Sequence, residues 1–246
     1  MKVNILGLAV FSWGLVIISC KGPASEPAAG TVSPKQMQNT EHLHNETDAN
    51  AYMHQAPFDT LVKRFENPLR QRWQKPDKVI QMLQPLNGAV VADIGAGTGY
   101  FSIRLASRAE KVIAIDIDPQ FIEYLQKEVS KNNYKNIEIR QTTSDNPGLK
   151  PNEVDKVLIV NTYHHIQKRE AWLKLLKNGM KRNSSLYIVD FKKGKLPEGP
   201  PDSHKITYQK VIEELEKVGF VNIFVDTTTL AYQYIIMAST SFSKDA

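Results

Sequence analysis

The segment Val90-Val91-Ala92-Asp93-Ile94-Gly95-Ala96-Gly97-Thr98-Gly99-Tyr100 carries residues suited to one task, holding an adenosine-containing cofactor. Its apolar half predicts a strand. The alternating Gly95, Gly97 and Gly99 predict a turn that lets backbone N–H groups approach a ligand at the start of a helix. A second apolar run, Ile113-Ala114-Ile115-Asp116-Ile117-Asp118-Pro119, closes its strand on an acid. Asp116 is placed to accept both hydroxyls of a ribose, and Ile117 to cover one face of an adenine. Asp93 is placed to orient the loop or to meet a ligand ammonium through water.

The spacing discriminates among cofactors. A dinucleotide loop reads Gly-x-Gly-x-x-Gly with an acid about twenty residues on. Here Ala96 and Thr98 alternate with the glycines, and an acid already stands in the strand before them. A phosphate-cradling Gly-Lys-Ser or Gly-Lys-Thr is absent. The set favours S-adenosylmethionine, with an NAD(P)-dependent oxidoreductase as the lesser alternative.

Further along, the fourth predicted strand runs out at Asn161-Thr162-Tyr163-His164-His165 and the fifth at Asp190. Either histidine can take a proton from a hydroxyl, amine or carbon acid, since imidazole titrates near neutrality. A helix-capping or core histidine is the alternative reading. Asp190 is either an orienting partner for a histidine or a structural acid, Tyr163 is expected to line the pocket, and Asn161 to contact the methionine end. Lys192, Lys193 and Lys195 form a basic patch. Pro197, Pro200 and Pro201 follow in a long loop expected to lid the substrate site.

These residues need a doubly wound scaffold. Helical patterns are predicted near 58–67, after Pro76, at 100–108, from Asp118-Pro119, around Trp172 to Leu176, and from Thr207 to Gly219. Between them fall strands at 90–94, 112–116, 137–140, 156–161 and 185–191. Two final runs, Phe220–Val225 and Tyr232–Ala238, succeed each other without a helix, which suggests antiparallel pairing at a sheet edge. Strands separated by helices require a mostly parallel sheet covered on both faces. The domain spans about residues 56–240.

The domain resembles class I S-adenosylmethionine-dependent methyltransferases over roughly residues 70–240. More narrowly, it is similar to bacterial methyltransferase-domain proteins with Trp-Gln-Lys-Pro before the first core helix (Trp73–Pro76), Tyr-His-His after strand four (Tyr163–His165) and Asp-Phe-Lys-Lys after strand five (Asp190–Lys193). The resemblance implies a Rossmann-like seven-stranded αβα sandwich with an antiparallel last strand. It implies that Asp93, Gly95, Gly97 and Gly99 wrap the methionine end while Asp116 takes the ribose, and that a residue after strand three reads the adenine amino group. Many members have Gly-Asp-Ala there, whereas this chain has Thr142-Thr143-Ser144-Asp145, with Ser144 and Asp145 as the candidates. The usual Pro-Gly-Gly before strand five is replaced by Lys181-Arg182-Asn183-Ser184.

The front of the chain reads differently. Met1 and Lys2 precede a nearly unbroken apolar run, Val3 to Ile18, too short for a comfortable membrane span and laid out as a secretory signal. Cys20 is the only cysteine in 246 residues, which excludes an internal disulfide. It follows Ser19 and resembles the lipobox of bacterial lipoproteins, with a buried structural cysteine as the alternative. The resemblance implies removal of residues 1–19, a diacylglycerol on Cys20, and a domain held at a membrane in the cell envelope outside the cytoplasm. Residues 20–55 read as a flexible tether rich in Pro, Ala, Ser, Thr, Asn and Gln. His42, His44 and His54 are too irregularly spaced for a metal site, and none is expected.

The formal charge is +5, and it falls by one unit with Lys2. Charge this thinly spread, with no aromatic-basic repeat, argues against nucleic acid as a partner. Arsenic methylation needs cysteine thiolates that this chain lacks. A small-molecule or lipid-like substrate, quinone-type compounds included, is the expectation; oligomeric state is not readable. Export places the domain away from the cytoplasm, where S-adenosylmethionine is made. Three resolutions stand open: an unrecognised route for cofactor or substrate, an apolar start that serves only as an anchor, or a binding module without catalysis.

Overall fold

The computed structural model describes residues 55–241. The apolar start, Cys20, His42, His44, His54 and the rest of the tether lie outside the described residues. Among the described residues, no helix is long and apolar enough to cross a membrane.

Seven strands form one sheet. They are β1 (Val90–Ile94), β2 (Lys111–Asp116), β3 (Ile137–Gln141), β4 (Val154–Val160), β5 (Met180–Phe191), β6 (Val221–Asp226) and β7 (Gln233–Ser239). Their order is β3-β2-β1-β4-β5-β7-β6. The first five are mutually parallel, while β7 runs antiparallel to both β5 and β6. The Rossmann-like architecture expected from the sequence is therefore present. The final hairpin is inserted so that β7 lies inside the sheet and β6 forms the edge.

Alternation within the strands builds two cores. In β4, Leu158 and Val160 face one side, and Val157 and Ile159 the other. In β2, Val112 and Ala114 oppose Ile113 and Ile115 in the same way. Both sides are buried, so the strands read as continuous apolar runs. Each fully buried Leu or Ile contributes roughly 1.5–3 kcal/mol of transfer free energy.

The helices are α1 (Phe58–Phe65), α2 (Arg70–Gln74), α3 (Pro76–Met82), α4 (Ser102–Ala106), α5 (Pro119–Lys131), α6 (Arg169–Gly179) and α7 (Tyr208–Val218). Their starts follow local chemistry. Asp118 caps α5 by accepting from the Gln120 N–H at 2.8 Å, with Pro119 in the first turn. Thr207 caps α7, and Gly219 ends it in the left-handed region at φ 81°.

Two differences from the sequence reading have local causes. Helix α2 precedes Pro76 and is separated from α3 by Lys75, itself at φ 45°. Strand β5 begins five residues earlier than expected, at Met180, because the register against β4 shifts between Val154 and Lys156. Asn183, at φ 62°, accommodates that irregularity, and Ser184 Oγ donates to the Lys181 carbonyl at 2.6 Å.

The chain passes from β1 to β2 and β3 on one side, then returns to β4 on the other. The carboxyl ends of β1 and β4 consequently diverge. In an open α/β sheet the ligand crevice forms at such a switch point.

Candidate active site

A cavity of about 250 Å³ lies at that switch point. Its cofactor side is built around the loop after β1. Gly95 and Ala96 donate their N–H groups to the Ile115 carbonyl at 2.8 and 3.0 Å, tying the loop to β2. The Gly97 N–H donates to Asp116 Oδ2 at 2.7 Å, and the Asp118 N–H to Asp116 Oδ1 at 3.0 Å. Asp116 thus fixes both the loop it faces and the start of α5.

The three glycines answer three different constraints. All have positive φ, at 73°, 54° and 83°. A Cβ on Gly95 would fall 2.1 Å from Thr162 Oγ1, so the loop presses directly on the segment leaving β4. Gly97 faces the cavity, where a Cβ would only touch the Phe65 ring at 3.5 Å. Gly99 is outside the cavity wall; a Cβ there would meet Leu125 Cδ1 at 2.3 Å, and its role is the packing of α5.

The other expected cofactor residues divide similarly. Ala96, Asp116, Ile117, Ser144 and Asn161 line the cavity. Asp93 is buried beneath it and accepts from Ser102 Oγ at 2.6 Å, so it orients the loop from behind. Asp145 does not line the cavity. It is exposed, and its carboxylate accepts from Thr143 Oγ1 at 2.6 Å; Ser144 and Asn146 present themselves instead. Asn161 sits at φ 55°, and its side-chain oxygen accepts from Gln233 of β7.

Opposite the loop, the side chain of His164 lies over Asp190. Its Nδ1 is 2.8 and 3.0 Å from the two carboxylate oxygens, and its backbone N–H donates to Asp190 Oδ2 at 3.1 Å. Asp190 is fully buried, also accepts the Phe191 N–H at 2.8 Å, and does not itself line the cavity. A carboxylate at Nδ1 favours the tautomer with the proton there, leaving Nε2 as a proton acceptor. His165 lines the cavity too, its ring centroid 4.2 Å from that of His164.

Two expectations for this side are corrected. Tyr163 does not line the pocket: it is fully buried in the core, and its hydroxyl donates to Glu214 Oε2 at 2.8 Å. Arg169 Nε donates to the same carboxylate at 2.9 and 3.0 Å, so this trio anchors the turn that carries both histidines. The basic patch is also largely spent internally. Lys192 Nζ donates to the carbonyls of Leu230 and Ala231 at 2.9 and 3.1 Å, and Lys193 Nζ to that of Asp202 at 2.7 Å.

Several wall residues are not among the expected site residues. Phe65 and Arg70 come from α1 and α2, and Trp73, Phe191, Glu198 and His204 complete the acceptor side. The Arg70 guanidinium lies 4.0 Å from the Tyr100 ring centroid and donates to the Phe65 carbonyl at 2.8 Å. Burial lowers its pKa to about 10, so it keeps its charge at neutral pH. The Trp-Gln-Lys-Pro and Asp-Phe-Lys-Lys motifs, which hold Trp73 and Phe191, and the proline-rich loop around Glu198 are the sequence signals for the acceptor side.

Electrostatically the cofactor side is expensive. Burial pushes the Asp93 carboxyl up to about 6, with the Ser102 hydrogen bond and the Arg70 charge pulling the other way. Burial raises Asp116 as well, opposed by the backbone N–H groups of Asp118, Gly97 and Ile117. Among the described residues, no group of three or more His, Cys, Asp or Glu is disposed to hold a metal ion.

The open parallel sheet, the glycine loop at its switch point and the acid closing β2 define the fold of S-adenosylmethionine-dependent methyltransferases. Residues 86–232 match the family described as "Methyltransferase domain", and the chain belongs to it. A crystal structure of a SAM-dependent methyltransferase from Aquifex aeolicus superposes with a TM-score of 0.68 at 27% identity, covering 74% of this chain and 98% of that one. A Sulfolobus solfataricus protein assigned to the type 11 methyltransferases, at 20% identity, shares the fold with a TM-score of 0.57, covering 71% of this chain and 96% of that one. An uncharacterized methyltransferase of Mycobacterium tuberculosis is 30% identical over 114 residues, covering 46% of this chain and 44% of that protein. The chain thus spans less than half the length of that relative. The fold supports S-adenosylmethionine as the cofactor, and the residues present fit it: a loop whose glycines stand at positive φ, Asp116 for a ribose, and the apolar Ile117 at its rim.

The raised pKa of Asp93 has a measurable consequence. Folding favours its neutral form, so its contribution to stability is complete below the ordinary value of 3.8 and is lost as pH rises through about 6. Asp93→Asn should remove that slope. Relative to the parent, the variant should gain roughly 2 kcal/mol between pH 4 and pH 7 in denaturant unfolding. Parallel pH profiles would contradict the assignment.

Proposed function

We propose that the chain transfers a methyl group from S-adenosylmethionine to a small-molecule or lipid-like nucleophile by in-line displacement. One observation supports this most: His164, held from behind by Asp190, lines the same cavity as the glycine loop and Asp116. When bound, the cofactor supplies an electrophilic methyl on a sulfonium.

The protein's own contribution is alignment, exclusion of water and handling of one proton. The positive-φ backbone of the glycine loop, with no side chain at Gly95 or Gly97, leaves room to seat the methionine end. Arg70, charged and half-buried on α2, offers a counter-charge to a carboxylate there. Asp116 receives the ribose, and Ile117, Ser144 and Asn146 surround the base. On the facing side His164 takes the acceptor's proton at Nε2, while Asp190 holds the imidazole in orientation and stabilises it once protonated. Trp73, Phe191 and the loop through Pro200 close the space around the acceptor.

For the amino terminus, the reading is a lipid anchor on Cys20 that holds the domain in the cell envelope. Its support is the sequence pattern alone. Radiolabelled palmitate should be incorporated into the chain in a bacterial host and absent from Cys20→Ser; equal labelling of both would remove the anchor.

The catalytic reading is tested with methyl-labelled S-adenosylmethionine and a panel of amines, phenols and quinols. His164→Ala should lower kcat about 10²–10⁴-fold, the usual worth of a positioned base, and leave cofactor affinity within twofold. Asp190→Asn should fall in the same direction. Undiminished turnover in His164→Ala would assign the proton to another group.

A further inference from the structure

The acceptor side of the cavity has a definite charge and a definite surface. From the end of β4 onward, the lining residues are Val, Asn, Thr, His, Ile, Trp, Phe, Gly, Pro and a single acidic residue, Glu198. No lysine or arginine lines this side; Arg64 and Arg70, the basic residues of the wall, come from α1 and α2. Glu198 is half-buried, and its carboxylate has no hydrogen bond or ion pair with any described residue.

An aromatic wall stands next to it. Trp73 and Phe191 face each other with ring centroids 5.9 Å apart at 38°. Gly199, at φ 106°, lies flat on Phe191, where a Cβ would fall 2.6 Å from the ring. The carboxylate-bearing residue is therefore the immediate chain neighbour of the one seated on the ring.

The loop presenting Glu198 is laced rather than slack. Lys193 Nζ donates to the Asp202 carbonyl at 2.7 Å, and the Gly194 N–H to Asp202 Oδ1 at 2.6 Å. The buried Lys205 Nζ donates to the Gly194 carbonyl at 2.5 Å. Two lysines of this loop, Lys193 and Lys205, are thus turned to its own backbone.

A lone carboxylate beside aromatic faces, with no lysine on this side of the wall and Lys193 and Lys205 engaged elsewhere, is an environment for an organic cation. We propose that the acceptor is a small amine, bound as its ammonium by Glu198, Trp73 and Phe191; this rests on the methyltransferase reading. The ammonium gives one N–H proton to His164, and the freed nitrogen lone pair forms the new N–C bond. The S–C bond of the sulfonium breaks with its electron pair staying on sulfur. The product is a methylated ammonium of the same charge as the incoming one.

The test uses the full chain saturated with S-adenosylhomocysteine and titrated with an isosteric pair, choline and 3,3-dimethylbutan-1-ol. Choline should bind at least tenfold more tightly than the neutral alcohol. Glu198→Gln should erase that preference while leaving S-adenosylhomocysteine affinity within twofold. Equal affinities, no binding of either probe, or an unchanged preference in Glu198→Gln would overturn the amine assignment while leaving the methyltransferase reading in place. Failure of S-adenosylhomocysteine itself to bind would remove both.

Discussion

The site depends on how closely the backbone after β1 approaches its neighbours. Gly95 sits where any side chain would collide with Thr162, and Gly97 turns its N–H onto the Asp116 carboxylate. These contacts lock three strands together at their carboxyl ends: β1 through the loop, β2 through Asp116, and β4 through Thr162. The loop can be this tight only because three residues adopt positive φ without penalty. Asp116 is held by backbone N–H groups, so its oxygens are positioned before any ligand arrives. Preorganisation of this kind avoids an ordering cost at binding.

Function is stored here as local instability. Asp93, Asp116 and Asp190 are all buried at the same end of the sheet, with Arg70 close to the first. Each carries a desolvation cost that its hydrogen bonds must offset. The remaining structure offsets the cost with two continuous cores on the faces of the sheet. The Tyr163–Glu214–Arg169 trio extends the same logic one layer out. It links α7 and the start of α6 to the turn carrying His164 and His165, and so gives the proposed base a rigid mount.

Much of the architecture was legible because it is written in local pattern. Strand β1 with its glycines, the acid ending β2, and the Asp118-Pro119 start of α5 are each decided within a few residues. Side-chain direction was less legible. Tyr163 and His164 are adjacent, yet one enters the core and the other the cavity, which depends on Glu214 and Asp190 from distant segments. Lys192 and Lys193 read as a surface patch because their carbonyl partners lie elsewhere in the chain. Asp145 looked equivalent to an acid in related proteins, but the turn from Thr142 points it outward. Arg70 and Phe65 belong to helices with no glycine loop or acidic signature, and only folding brings them over the cofactor side.

The central claim is that this end of the sheet is an S-adenosylmethionine site gripped by Asp116. Calorimetric titration with S-adenosylmethionine, S-adenosylhomocysteine and NAD tests it most directly. The account predicts micromolar binding of the first two, loss of both in Asp116→Ala, and none of NAD. Absence of binding by either sulfur ligand, or binding indifferent to Asp116→Ala, would contradict it.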